Sequence, residues 1–433
     1  MFLVVPLEIT VCIYGIGDGG LGTSTGRCIH MLGIGSKAKA IDSPADASEA
    51  ISPPQGICIL YLTIGSGHQM AAQAVEEAIK LQLPQQRVHT IDPLTESIEL
   101  LPVVLERLQA ASIILTPAWA DRVWRRGNMH GLTDRMLEIG VLQKPVEEAL
   151  LDSQAQVVVA THVLPCVLAT ALKERGGMPL KVFGVVTDWG VHRFWPTIGM
   201  DGYFVAHEDI RQTLIYRGVD PDIVHVTGIP IRFGFEKFAV QPTSETAEGL
   251  RVLVMVGGLQ TGAYVGLQQN LIALVDAIQA LENENLHLTI VTGKSRSLRR
   301  RLNRRVSKRG LRANVLGLVD DIHVLMAEHD ILITKPGGLA VAEGLASGIC
   351  MILFRPGPGQ EEANVDFLAR HGGALCGESP SDVVEALKRC IEDPPLVVRM
   401  KRQAKELGHP RAAREIAQHI LRKIAADHVS LAS

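Results

Sequence analysis

The chain has 433 residues, of which 47% are hydrophobic and 21% charged, with a formal net charge of −3 at neutral pH. That length exceeds one ordinary core and argues for two domains, the apolar content excludes a disordered chain, and the near-neutral balance excludes a protein built to coat a bulk polyanion. The seven cysteines (Cys12, Cys28, Cys58, Cys166, Cys350, Cys376 and Cys390) are odd in number and scattered, without a Cys-x-x-Cys pair, which reads as reduced thiols in a cytoplasmic protein with no zinc site. No stretch supplies the about 20 consecutive apolar residues of a membrane span. The apolar N-terminus is broken by Pro6, Glu8 and Gly15 and lacks a basic start, so a cleaved signal is not expected and any membrane role is peripheral.

In chain order, the apolar run Ile9 to Tyr14 leads into Gly15-Ile16-Gly17-Asp18-Gly19-Gly20, with Asp42 further on. This nominally meets the dinucleotide fingerprint of an NAD-type oxidoreductase. The following stretch, Leu21 to Gly26, is a poor helix, and residues 1–53 are read as an N-terminal extension of uncertain order. Ile57 to Leu62 has the length and apolarity of a buried parallel strand, followed by Gly65-Ser66-Gly67-His68 and a helical period over Met70 to Leu81. Strands are predicted at Arg87 to Ile91, Val157 to Ala160, Val182 to Val186, Tyr203 to Val205 and Val224 to Val226, with helices at Val146 to Leu151 and Leu164 to Arg175. Polar Gln241 to Gly249 reads as a linker. A second series then runs from the strand Leu253 to Val256 through a helix at Leu267 to Leu281 to strands at Leu288 to Val291, Ile331 to Ile333 and Met351 to Leu353. Alternating strands and helices imply an α/β protein with parallel sheets and ligands at the strands' carboxyl ends. The expected units are residues 54–240 and 241–433, both Rossmann-like, with the last helix packing back on the first.

The most informative segment is Asp330 to Ala346, where a strand passes through Thr334-Lys335 into Pro336-Gly337-Gly338 and a helix. Glycines at a helix N-terminus leave amides free to face an anion, and the dipole adds about half a positive charge there. A diphosphate fits such a site, and Glu343, one turn on, can accept hydrogen bonds from a ribose diol. The bland alternative is a plain strand–turn–helix connection with a surface Glu. Gln360 and Glu361, in the Gly/Pro-bounded loop after the next strand, have the chemistry to read sugar hydroxyls. Gly257-Gly258 with Thr261-Gly262 make a third loop on the same edge. In the first half, His68 begins a helix, either as a structural histidine or as a base whose ordinary pKa near 6.5 suits proton abstraction. Asp188, after the strand ending at Val186, either orients His68 or the acceptor, or caps the following turn; His192 and His162 stand at comparable strand ends.

Five stretches together resemble the glycosyltransferase family 28 group that holds monogalactosyldiacylglycerol synthase and the processive diacylglycerol glucosyltransferases. They are YLTIGSGH (Tyr61 to His68), VVTDWGVHRFW (Val185 to Trp195), VTGIPI (Val226 to Ile231), ITKPGG (Ile333 to Gly338) and PGPGQEE (Pro356 to Glu362). They occur in family order, and the resemblance spans about residues 57 to 425. It implies the GT-B architecture, two Rossmann-like domains facing a cleft, and inverting transfer of a hexose from a UDP-sugar to the hydroxyl of diacylglycerol. By that resemblance His68 is the base with Asp188 beside it, and Gly67 and His192 line the acceptor side. Gly337 and Gly338 hold the donor phosphates, Glu343 the ribose, and Gln360 and Glu361 the sugar, with Gly257, Gly258, Thr261, Leu318 and Lys335 also on the donor side. Gly317-Leu318-Val319 resembles the family's Gly-Phe-Val stretch beside the base, so Leu318 replaces an aromatic ring; Ala340 and Ala342 stand where the family tends to carry Ser or Thr.

Ile113 to Gly127 mixes Trp119 and Trp124 with Arg122, Arg125 and Arg126, which suits either a buried helix face or contact with anionic lipid headgroups. Lys294 to Arg312 is strongly basic but has few aromatics nearby for base stacking, so it reads as a solvated helix face, and no nucleic-acid partner is expected. Asp320-Asp321 is adjacent rather than spaced as an Asp-x-Asp metal motif, so neither an obligatory metal nor another cofactor is expected. The rival readings are a UDP-N-acetylglucosamine transferase acting on a polyprenyl-linked acceptor and a non-catalytic nucleotide- or lipid-binding protein. Glucose or galactose as the donor sugar, and the oligomeric state, are left open.

Overall fold

The computed structural model describes residues 56–63, 66–97, 140–176, 178–237, 249–255, 265–281, 283, 285–309, 312–354 and 361–432. The N-terminal extension with its Gly15 to Gly20 run, the Trp119, Trp124 and Arg125 cluster, most of the 241–249 linker, Gly257, Gly258, Thr261 and Gln360 lie outside them.

The first half carries strands β1 (Gly56–Leu60), β2 (Val88–Ile91), β3 (Ala155–Ala160), β4 (Lys181–Val185), β5 (Gly202–Val205) and β6 (Val224–Val226). They form a parallel sheet in the order β2-β1-β3-β4-β5-β6. The second half carries β7 (Leu250–Met255), β8 (Leu286–Val291), β9 (Ala313–Leu316), β10 (Ile331–Thr334), β11 (Cys350–Phe354) and β12 (Ala374–Gly377). These too are parallel, in the order β12-β11-β10-β7-β8-β9. Central strands such as β1 and β11 are buried along their whole length, which explains their continuous apolar sequences. In each sheet the strand order reverses about the first strand, between β1 and β3 and between β7 and β10. These switch points leave a crevice at the carboxyl ends, where α/β proteins bind ligands.

The helices of the first half are α1 (Gly67–Gln82), α2 (Pro93–Ser97), α3 (Gly140–Asp152), α4 (Val163–Glu174) and α5 (Glu208–Tyr216). The second half adds α6 (Val265–Gln279), α7 (Arg296–Arg309), α8 (Ile322–Glu328), α9 (Gly338–Ser347), α10 (Glu362–Arg370), α11 (Pro380–Glu392), α12 (Pro394–Leu407) and α13 (Ala412–Ala432). Local signals set several ends. Ser379 and Asp382 form a reciprocal capping box at the start of α11, and Gly348 ends α9 at φ 64, a left-handed conformation that favours glycine. The buried stripe of α1 is built of Ala71, Ala72, Ala74, Val75, Ala78 and Ile79, small enough for close packing on both the sheet and a further helix. That further helix is α13, which returns from the second half and lays Ile416, Ala417, Ile420 and Ile424 into the core of the first. A second apolar cluster runs between the halves, joining Val186 and Trp189 to Val341, Leu345 and Phe367. Among the described residues no helix is long and apolar enough to cross a membrane.

Candidate functional site

Three strand ends of the first sheet converge on His68. Its ring Nδ1 lies 2.9 Å from the carbonyl oxygen of Thr161, at the end of β3, and 2.9 Å from the Thr187 hydroxyl, beyond β4. A carbonyl oxygen only accepts, so Nδ1 carries the proton and donates it to Thr161. The Thr187 hydroxyl is left to donate to the same carbonyl, at 3.4 Å. The Thr161 hydroxyl closes the ring of contacts by donating to the His68 backbone carbonyl at 3.0 Å. This arrangement fixes the tautomer: the Nε2 lone pair is unprotonated and has no hydrogen-bonding partner among the described residues. Burial holds the His68 pKa below its ordinary value, against opposing pulls from the Asp188 carboxylate and the Thr161 carbonyl. The ring is thus neutral near pH 7, the state a general base needs.

His162 meets His68 edge-on, with ring centroids 4.7 Å apart. Its Nδ1 accepts from the Leu164 amide as the cap of α4, and burial, then the neighbouring His68 and His192, hold its pKa well below the usual range. His192 is pushed down to about 4, first by burial and then by Arg217 and Arg193, and Arg217 grips its backbone carbonyl at 3.1 Å. His192 is therefore uncharged near neutral pH, in a loop tied down by Arg217. No group of three potential ligands among the described residues is arranged to hold a metal ion.

The second half brings its switch-point loop to the same place. Gly337 caps α9 in an extended conformation with no side-chain cap, and Val341 is the first residue whose amide reaches back to its carbonyl, at 3.0 Å. The amides of Gly338, Leu339 and Ala340 consequently have no acceptor among the described residues, the situation in which a helix N-terminus attracts an anion. The two glycines play unequal roles. Gly337 is partly exposed, beside the Lys335 ammonium and the Glu361 carboxylate, which pair at 2.5 Å. Gly338 is buried: a Cβ on it would overlap the Thr187 carbonyl oxygen and lie 3.1 Å from Asp188 Oδ1. The face open to a ligand is therefore that of Gly337, while Gly338 lets the two halves touch. Gly67 abuts the same turn, its Cβ position lying 3.8 Å from Leu339 Cβ.

A buried polar tie holds this contact. Asn364, fully buried in α10, accepts from the Trp189 amide at 2.8 Å and donates to the Pro336 carbonyl at 2.7 Å. The Trp189 indole donates to the Gly338 carbonyl at 3.2 Å. Asp188 sits between the halves; burial raises its pKa, opposed by His68, a hydrogen bond to Asn364 and Lys335, and assisted by Glu361. Sequence reading missed Asn364 and Trp189, whose roles exist only through cross-half contacts.

Glu343 faces a residue of the first half. It is 5% exposed and paired with Arg232, its Oε1 lying 3.2 Å from the guanidinium. Burial raises its pKa and Arg232 opposes the rise. One carboxylate oxygen is thus committed to a first-half arginine that sequence reading did not single out, although Arg232 directly follows the VTGIPI stretch. Leu318 is 61% exposed beyond the carboxyl end of β9.

Comparisons with known proteins agree with this two-part layout. Residues 68–231 match the family model of monogalactosyldiacylglycerol (MGDG) synthase, and residues 241–407 match that of glycosyl transferases group 1. A processive diacylglycerol beta-glucosyltransferase of Bacillus subtilis (strain 168) is 26% identical over 379 residues, covering 85% of this chain and 95% of that protein. The protein of the same description from Bacillus cereus (strain B4264) is 28% identical over 268 residues, covering 61% and 67%. Among solved structures, MnaA of S. aureus with UDP superposes at TM-score 0.57 and 15% identity over 86% of this chain and 97% of that one. MurG of Acinetobacter baumannii does so at 0.53 and 15%, over 85% and 100%. At those identities the structural likeness speaks for the fold alone. By these matches the chain is a glycosyltransferase of GT-B architecture that resembles the monogalactosyldiacylglycerol synthases through its first sheet and the processive diacylglycerol glucosyltransferases over most of its length.

Proposed function

We propose that the protein transfers a hexose, with inversion, from a UDP-sugar to the hydroxyl of diacylglycerol. One observation carries the reading. The base candidate and the anion-attracting helix end are neighbours, because Gly67, adjacent to His68, packs against Leu339 in the first turn of α9. An acceptor hydroxyl at His68 Nε2 gives up its proton as its oxygen attacks the anomeric carbon. The bond to the diphosphate breaks on the opposite side, and UDP leaves. Charge developing on the leaving diphosphate is met by the free amides and dipole of α9 and by Lys335. No cofactor or metal enters this scheme. In it Asp188 steadies His68 as it becomes protonated, and Glu361 is released from Lys335 to face the sugar.

The lipid acceptor comes from what the relatives' names state, joined to the acceptor-side match over 68–231. Peripheral attachment to anionic membrane is part of the same reading. On α7, Leu298, Leu302 and Val306 face the core while Arg300, Arg304 and Lys308 are exposed, and among the described residues none of these three has an acidic partner. Each such cation near an anionic surface contributes about 1 kcal/mol. The test is a panel of UDP-glucose, UDP-galactose and UDP-N-acetylglucosamine with diacylglycerol in mixed micelles, reading lipid products by mass. A hexosyl-diacylglycerol product supports the reading. Absence of product together with absence of UDP binding ends it.

A further inference from the structure

Beyond the carboxyl end of β9, Gly317 and Leu318 form a small platform. It is joined to the neighbouring loop by Thr292, whose amide and hydroxyl both donate to the Leu316 carbonyl, at 3.0 and 2.8 Å. Arg299, in the first turns of α7, reaches across to it. Its guanidinium NH1 lies 3.3 Å and its Cδ 3.8 Å from where a Cβ on Gly317 would stand. Gly317 does not need its glycine for a left-handed backbone; any side chain there would push on Arg299. Arg299 is exposed and has no acidic partner among the described residues. By contrast Arg305 on the same helix donates to both carboxylate oxygens of Asp276, through Nε and one terminal nitrogen. Leu318 in the platform is 61% exposed, an apolar edge left largely open among the described residues.

We infer that Arg299 is a nucleotide-positioning residue, laying its guanidinium plane on the pyrimidine ring of the donor while Leu318 covers the ring's edge. The inference rests on the UDP-sugar reading above. A guanidinium is flat, delocalised and weakly hydrated, so it stacks on rings in a way an ammonium does not. An unstacked base is held on arginine planes as readily as on aromatic side chains. Arg299 would thus supply here the flat face that an aromatic residue at position 318 would otherwise offer.

The test is direct binding of UDP and of uridine to the full chain, by calorimetry, for the wild type and for Arg299→Ala, Arg299→Lys and Arg301→Ala. Arg301 is a neighbouring exposed cation with no part in the platform. The expected result is a loss of roughly tenfold in affinity for both ligands in Arg299→Ala, with Arg301→Ala unchanged. Arg299→Lys should keep part of the UDP affinity through its charge but bind uridine as poorly as Arg299→Ala. Leu318→Phe placed in Arg299→Ala should restore uridine binding. In turnover, Arg299→Ala should raise the KM for the donor and leave kcat near the wild-type value. Equal UDP binding by Arg299→Ala and Arg301→Ala, with the wild type binding normally, overturns the inference and leaves the function standing. A loss for UDP but not for uridine also overturns it, by assigning Arg299 to the phosphates. A wild type that binds no UDP refutes the functional reading itself.

Discussion

Replacing Gly338 with alanine separates the two glycines of the Lys335-Pro336-Gly337-Gly338 loop. The added methyl would overlap the Thr187 carbonyl oxygen and stand 3.1 Å from both the carbonyl carbon of Thr187 and Asp188 Oδ1. Comfortable separations are about 3.5–4.0 Å, so relief requires the halves to part locally by roughly 1 Å. The obstacle is backbone and has no rotamer to retreat into. Overpacking of this kind costs about 1–3 kcal/mol. The larger effect falls on turnover, because a displacement of about 1 Å between reacting groups costs on the order of 10²-fold. The control is Gly337→Ala, where the Cβ meets only the ends of two flexible side chains, Glu361 Oε1 at 3.4 Å and Lys335 Nζ at 3.5 Å. Thermal unfolding and single-turnover transfer, measured on both variants, decide the matter. Gly338→Ala should melt lower and transfer slowly; Gly337→Ala should melt as the wild type does and lose donor affinity. Full activity and unchanged melting in Gly338→Ala would refute the argument that Thr187 and the start of α9 are in enforced contact.

His68→Ala should lower kcat by about 10²–10⁴-fold while UDP binding persists, measured by transfer assay and calorimetry. Because burial depresses the His68 pKa, the acid limb of the kcat profile should fall below pH 6.5. The Asp188 carboxylate pulls that pKa upward, so Asp188→Asn should move the limb to still lower pH in the residual activity. Asn364→Leu strips partners from the Trp189 amide and the Pro336 carbonyl; at about 1–3 kcal/mol for each orphaned group, stability to urea should drop by about 2–6 kcal/mol. Arg232→Met leaves the buried Glu343 carboxylate unpaired, a loss of about 3–5 kcal/mol at neutral pH. Since burial raises the Glu343 pKa, stability linked to this group is present at low pH and declines as pH rises through the folded value. The Arg232→Met deficit should therefore shrink as pH falls toward the ordinary carboxylate range, as followed by denaturation at several pH values.

The central strands were legible because burial on both faces demands unbroken apolar runs, as in Ile57 to Leu60 and Cys350 to Phe354. The strands that sequence reading passed over, Ala313–Leu316 and Ala374–Gly377, are the two edges of the second sheet. An edge strand has one neighbour and little cover, so Asn314 and Cys376 stay exposed and the pattern is lost. His68 and the Lys335 to Gly338 loop could be singled out as candidates because a strand end followed by glycines and a helix leaves a local signature. Nothing local marks Asn364 or Arg232; each is an ordinary polar residue until a distant partner, Trp189 or Glu343, closes on it. For the same reason Gly338 looked like its neighbour Gly337, although its smallness serves the approach of another backbone.

The return of α13 sets an order of events in biosynthesis. The sheet of the first half is translated by Val226, yet the helix that seals one of its faces begins at Ala412. At ribosomal speeds of about 5–20 residues per second, that face waits roughly 10–40 s for its cover. During the interval Ile57, Ile59, Val75 and Ile79 lack the apolar partners that α13 brings. A nascent chain arrested before Ala412 should therefore bind holdase chaperones and resist release, and a recombinant fragment cut at the linker should need α13 supplied as a separate peptide to remain in solution.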